Sequence, residues 1–286
     1  MTPPIDRRQF LAASAALASA GLARADDPKP GRWKKAFMLG QTKGPILPTF
    51  QLLRDAGFDG VELISPNALD TDEVLKARDK TGLIIHGVSG GEHWGSPLSS
   101  PDPAVVAKGL KAIRREFEDV KAYGGTTVLL VPAIVTKTVS HRDAYERSRT
   151  HIKTLIPDAD KAGVKIAIEE VWNKFLLSAP EMARYIDSFE SKTIGAYFDV
   201  GNVVEYGFPQ EWIRELGKRI LKVHIKEYAK PKRFDYELGE GEIDWPEVVA
   251  ALRDVGYQGW ITAEVGFGDM TRMKDVVRRM GKLLDA

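Results

Sequence analysis

From Trp33 to the C-terminus the hydrophobic pattern switches repeatedly between two periods. Short, nearly continuous apolar runs alternate with longer stretches whose apolar positions recur at helical spacing. The strand-like runs are KKAFMLG, FDGVELI, LIIHGVS, TTVLLVP, VKIAIEE, IGAYFDV, ILKVHIK and GWITAEV. The helical stretches that follow them span about 48–56, 71–81, 104–123, 142–162, 179–189, 210–216, 245–255 and 270–284. Strands apolar on both faces belong in a sheet covered on both sides, which means a parallel one. Eight successive strand–helix units predict a (β/α)8 TIM barrel. An open doubly wound sheet is the alternative, but no G-x-G-x-x-G follows the first strand. Glycines just ahead of strands, in AGFDG, KTGL, AYGGT, KAGVK and VGYQG, predict helix C-caps.

The first 25 residues break this rhythm. Arg7-Arg8 precede an apolar run from Phe10 to about Leu22, and Ala23-Arg24-Ala25 forms an A-x-A cleavage pattern. The run is short for a membrane span. Residues 1–25 therefore read as a twin-arginine signal peptide, residues 26–286 as a single domain, and the mature protein as periplasmic, with no stable membrane association after cleavage. Composition narrows the chemistry further. There is no cysteine, so disulfides and thiolate metal sites are excluded. With 41 Lys+Arg against 40 Asp+Glu, the net charge of +1 provides no basic field to attract nucleic acid.

Candidate chemistry gathers at the ends of strands five to eight. There the chain places the neighbouring pair Glu169 and Glu170, then Asp199, His224 and Glu264. In a barrel, the C-terminal ends of the strands face the active site. Three carboxylates and one imidazole suit one divalent ion: Mn²⁺, Co²⁺, Mg²⁺ or Zn²⁺. Side chains alternate along a strand, so only one of Glu169 and Glu170 faces the mouth. Other polar groups fall at the same end and are candidates for substrate binding: Glu62, His86, His93, Asn202 and Lys226. Trp94, Trp172, Phe175 and Trp245 are candidates for stacking on a ring or for packing. His141 and His151 fall in or beside the fourth helix, as surface residues.

FDVGNV, KVHIKEY and LGEGEIDWPEVVAALRDVGYQGWITAEV, together with EVWNKF, resemble the xylose isomerase-like TIM-barrel family of sugar phosphate isomerases and epimerases. The resemblance extends from about Trp33 to the C-terminus. It implies a divalent metal on Glu170, Asp199, His224 and Glu264, and it favours Glu170 over Glu169. It further implies that Glu170 and Glu264 exchange a proton with the carbon beside a carbonyl of a small carbohydrate, through an enediolate. Many members carry histidine three residues after the metal aspartate, where this chain has Asn202. The export signal disfavours a phosphorylated substrate. The expectation is a metal-dependent isomerase or epimerase of a free sugar or keto-sugar. The alternative is an exported lyase or dehydratase that eliminates from a 3-keto-glycoside after the same proton abstraction. A phosphodiesterase of the endonuclease IV kind fits poorly, because the chain has five histidines and only one of them is in the ligand series. A non-catalytic carbohydrate-binding barrel does not account for the ligand quartet.

Overall fold

The computed structural model describes residues 32–41 and 45–285. Residues 1–25, expected from the sequence to be a signal peptide, lie outside the described residues. Eight parallel strands close into a barrel in chain order. They are β1 (Lys34–Leu39), β2 (Gly60–Ser65), β3 (Ile84–Gly90), β4 (Thr127–Leu130), β5 (Lys165–Glu169), β6 (Ile194–Asp199), β7 (Ile220–Ile225) and β8 (Trp260–Ala263). The helices are α1 (Ile46–Ala56), α2 (Thr71–Thr81), α3 (Pro103–Tyr123), α4 (His141–Ala162), α5 (Ala179–Asp187), α6 (Pro209–Leu216), α7 (Trp245–Asp254) and α8 (Met270–Leu284). The (β/α)8 expectation holds, and no described helix is long and apolar enough to cross a membrane.

Local chemistry explains where the helices begin and end. Asp70, Asp102, Ser140, Asp244 and Asp269 accept backbone N–H bonds at N-termini of α2, α3, α4, α7 and α8. Gly57, Gly82, Gly124 and Gly163 close α1 to α4 in the left-handed conformation, as the glycine signals predict. Two apolar populations result from strand alternation. Outward residues such as Ile166, Ile168, Phe198, Val223 and Ile261 join the large core between sheet and helices. A small separate cluster of Leu129, Val131, Ala167 and Tyr197 belongs to the other face, inside the ring.

Candidate active site and metal centre

The alternation that builds the two cores also aims the chemistry. On β5, Ile166 and Ile168 face the helices, so Ala167 and Glu169 face inward. Glu169 lies in register with Tyr197 of the inner cluster, and Asp199 with His224 on the next strand pair. One ligand atom each from Glu169, Asp199, His224 and Glu264 lies within 4.8 Å of the others. Glu170 is not among them, which corrects the expectation drawn from family resemblance. It is the neighbour one residue on, and the pleat turns it to the opposite face. Its Oε1 accepts the Asp199 N–H at 2.9 Å, and Asn202 Nδ2 donates to its carbonyl at 2.9 Å. Glu170 thus braces the Asp199 backbone. The large Ile166 and Ile168, four and two residues before it, carried this signal in the sequence.

His224 anchors the group. Its Nδ1 is 3.1 Å from Glu169 Oε1, 3.5 Å from Glu264 Oε2 and 4.0 Å from Asp199 Oδ2. Its other ring nitrogen, Nε2, is 3.2 Å from Glu62 Oε1. Burial alone would lower the imidazole pKa, but the Glu62 and Glu169 carboxylates overcome it and hold the ring well above its ordinary range. Burial pushes Glu169 and Asp199 up from ordinary carboxylate values. Lys226 sits 2.7 Å from Glu264 Oε2 and 3.2 Å from Asp199 Oδ2. Burial disfavours its charge, yet these carboxylates keep its pKa above that of a free lysine. Asp199 Oδ1 accepts the Asn202 N–H at 2.7 Å, while its buried Oδ2 makes no hydrogen bond.

These residues fit a divalent ion. Three carboxylates and an imidazole are a hard-to-borderline donor set. The buried Asp199 Oδ2 makes no hydrogen bond and lies beside the Lys226 ammonium at 3.2 Å, so it keeps lone pairs that a cation can share. The Nε2 contact with Glu62 is the outer-shell arrangement that leaves the facing nitrogen free to ligate.

The other candidates divide by depth. His93, Asn202 and Lys226 line a cavity of about 490 Å³ over the cluster, together with Glu169, Glu264, Trp94, Trp172 and Phe234. Burial lowers His93 to a pKa of about 4, so it faces the cavity as a neutral ring. Asn202 is committed: its side chain bonds Glu170, and its carbonyl accepts the Trp172 indole N–H at 2.8 Å. Glu62 and His86 do not line the cavity, against expectation. They lie earlier along their strands, 0% and 3% exposed, in a deeper layer with Tyr197, Lys222 and Thr262. Tyr197 donates to Glu62 Oε2, and Thr262 Oγ1 is 3.1 Å from His86 Nε2. Phe175 packs in the core against Tyr185, and Trp245 donates its indole N–H to the buried Glu227 at 2.9 Å.

Comparison with known proteins adds an independent line. A family model described as a xylose isomerase-like TIM barrel matches residues 50–282. The L-ribulose-5-phosphate 3-epimerase UlaE of Escherichia coli O1:K1 is 26% identical over 276 residues, covering 88% of this chain and 95% of its own. Among solved structures, an L-ribulose 3-epimerase matches with TM-score 0.77 and 22% identity, over 89% of this chain and 95% of that one. A 3-keto-D-glucoside 4-epimerase from E. coli matches with TM-score 0.74 and 20% identity, over 88% and 100%. At these identities the solved structures attest the shared fold.

Proposed function

The chain belongs to the xylose isomerase-like TIM barrel family, and we propose that it is an enzyme that epimerises or isomerises a free sugar or keto-sugar with a divalent cation. One observation carries this reading: Glu169, Asp199, His224 and Glu264 converge, and Glu169 and Glu264 among them line a cavity of sugar-binding size. The curated relative is a sugar epimerase, which supports the same class.

The chain's own residues divide the work as follows. Glu169, Asp199, His224 and Glu264 hold the cation. When bound, it supplies polarisation of the substrate's carbonyl and hydroxyl oxygens. Glu169 and Glu264 both line the cavity and come from strands three apart, so two carboxylates approach one substrate from separate walls. One removes the proton from the carbon beside the carbonyl, and the other returns a proton to the opposite face. The Lys226 ammonium, charged and in the cavity wall, hydrogen-bonds a substrate oxygen. Trp172 and Phe234, with ring centroids 4.9 Å apart, shield that region from water. The proposal includes export to the periplasm, supported by Arg7-Arg8 and Ala23-Arg24-Ala25; fractionation of the producing cell tests it.

The catalytic reading is tested by incubating the Mn²⁺-loaded protein with ketoses, aldoses and 3-keto-glycosides in D₂O and following the sugars by NMR. Deuterium at a carbon next to the carbonyl, with a new epimer or isomer, is expected. Release of water or an aglycone in place of an epimer would assign the protein to elimination chemistry instead.

A further inference from the structure

A second hollow of about 570 Å³ adjoins the first and shares Met38, Gly40, Phe234 and Glu264 with it. Its remaining wall comes from the loops after β7 and β8 and the start of α8. These contribute Tyr236, Phe267, Asp235, Glu237 and Arg272. Phe267 is 48% exposed although its ring lies edge-on to Phe37 at 5.8 Å. An aromatic left open at a cavity rim is a surface available to a ligand. Beside it, the Arg272 guanidinium pairs with the Glu237 carboxylate.

This wall is built rather than slack. Glu227, fully buried at its base, accepts the Tyr228 N–H at 3.1 Å, the Gly239 N–H at 2.7 Å and the Trp245 indole at 2.9 Å. Any Cβ on Gly241 would stand 2.5 Å from Glu227 Oε1 and from the Tyr228 carbonyl oxygen, so only glycine lets the chain pass so close. Arg279 holds the Leu238 carbonyl at 3.2 Å and the Glu240 carboxylate at 2.8 Å. The Leu-Gly-Glu-Gly-Glu-Ile-Asp-Trp segment is therefore the clamp that fixes this loop over the mouth.

We propose that the second hollow is a subsite for a glycosyl ring, so that the substrate is a keto-sugar bearing a second sugar. The inference rests on the sugar-epimerase reading above and names its substrate class. Ligand pockets of roughly 300–1,000 Å³ enclose drug-sized molecules, so the first cavity alone accommodates a single sugar and the second is surplus to it. Flat aromatic faces next to paired carboxylate and guanidinium groups match a ring with apolar C–H faces and a hydroxyl edge. Two carboxylates, Asp235 and Glu237, against one guanidinium favour a neutral polyol over a phosphate. Glu264 borders both hollows, which places the reacting carbon next to the linkage between the rings.

The test compares fructose with the ketose disaccharides lactulose, leucrose and isomaltulose. Deuterium incorporation is followed in D₂O, and binding is followed by calorimetry, on the Mn²⁺-loaded full domain. At least one disaccharide should exceed fructose in kcat/KM, and Phe267→Ala and Tyr236→Ala should each lower the disaccharide-to-fructose ratio about fivefold, the scale of one aromatic contact. Melting temperature and metal content confirm that the variants are folded. Fructose turnover with no disaccharide preferred, or a ratio that neither variant moves, overturns the subsite. If no sugar exchanges deuterium, the epimerase reading fails separately, and calorimetry decides the subsite. Disaccharide binding weakened by Phe267→Ala retains it, and binding that is absent or indifferent to the change overturns it.

Discussion

Two polar layers lie one behind the other inside the barrel, and they differ in charge and in access to the cavity. The deeper layer of Glu62, His86, Tyr197, Lys222 and Thr262 is closed off from the cavity. Most of its polar atoms satisfy one another: Tyr197 with Glu62, Thr262 with Tyr197 at 3.3 Å and His86 at 3.1 Å. Burial leaves His86 well below its ordinary pKa and Lys222 at about 7, so this layer carries little positive charge of its own. The outer layer of Glu169, Asp199, His224 and Glu264 concentrates three carboxylates around one ring and opens to the cavity through Glu169 and Glu264. Burial and polarity are common to both. What separates them is the gathering of three carboxylates around one imidazole and the reach of Glu169 and Glu264 to the cavity wall.

The largest expected effect is in the outer layer. His224→Ala combined with Asp199→Ala should abolish stoichiometric divalent-metal binding, read as metal content per chain; retained metal would remove the centre from these residues. Glu169→Gln should lower deuterium exchange by at least the ~10²-fold typical of general acid–base groups. Glu170→Gln should cost far less, because an amide oxygen still accepts the Asp199 N–H. Equal losses in the two variants, measured at matched metal occupancy, would erase the distinction between the faces of β5.

Glu62 joins the layers, so its variant should fall between them. Glu62→Gln weakens the charged contact that orients His224 and should reduce metal affinity about 10- to 100-fold, the usual cost of an outer-shell partner. Competition with a fluorescent chelator would measure it, and unchanged affinity would leave Glu62 purely structural.

Protonation gives a finer separation. The folded, metal-free protein holds extra protons on Glu169, Asp199 and His224, all of whose pKa values are raised. For His224 the stabilising contribution is complete below its unfolded value of 6.5 and is lost as pH rises through the raised folded value. A cation displaces these protons, so the Tm increment given by Mn²⁺ should grow as pH rises from 6 upward. An increment independent of pH would show that the cation binds elsewhere.

The smallest effect belongs to the deep layer. Lys222→Met removes a buried ammonium whose pKa burial depresses to about 7. Stability should change between nothing and a gain of about 1 kcal/mol, as when buried charges give way to apolar groups. Deuterium exchange should hold near the unsubstituted rate, because Lys222 does not line the cavity. A large loss of exchange would show that the deep layer takes part in catalysis.

What the sequence determined by itself is the architecture and most of the residues of the candidate site. Period switching marked the eight barrel strands and eight α-helices of the described residues, with α2 and α8 found at their observed limits. The glycine C-caps of α1 to α4 are local in sequence, so they are legible without a fold. Asp199, His224 and Glu264 were also legible, because each stands at the end of a strand-like run. Tertiary structure decided the rest, since facing and depth depend on closure of the ring. Glu169 and Glu170 are adjacent in the chain, and only the register against Tyr197 shows which one enters the cavity. Glu62 and His86 resemble cavity residues in sequence, yet strand stagger sinks them a layer lower, where they meet Tyr197, Thr262 and His224 across as many as 176 positions of chain. Glu227 shows no sign of its role until the loop to Trp245 folds back over it, because a buried carboxylate is defined by the donors that surround it.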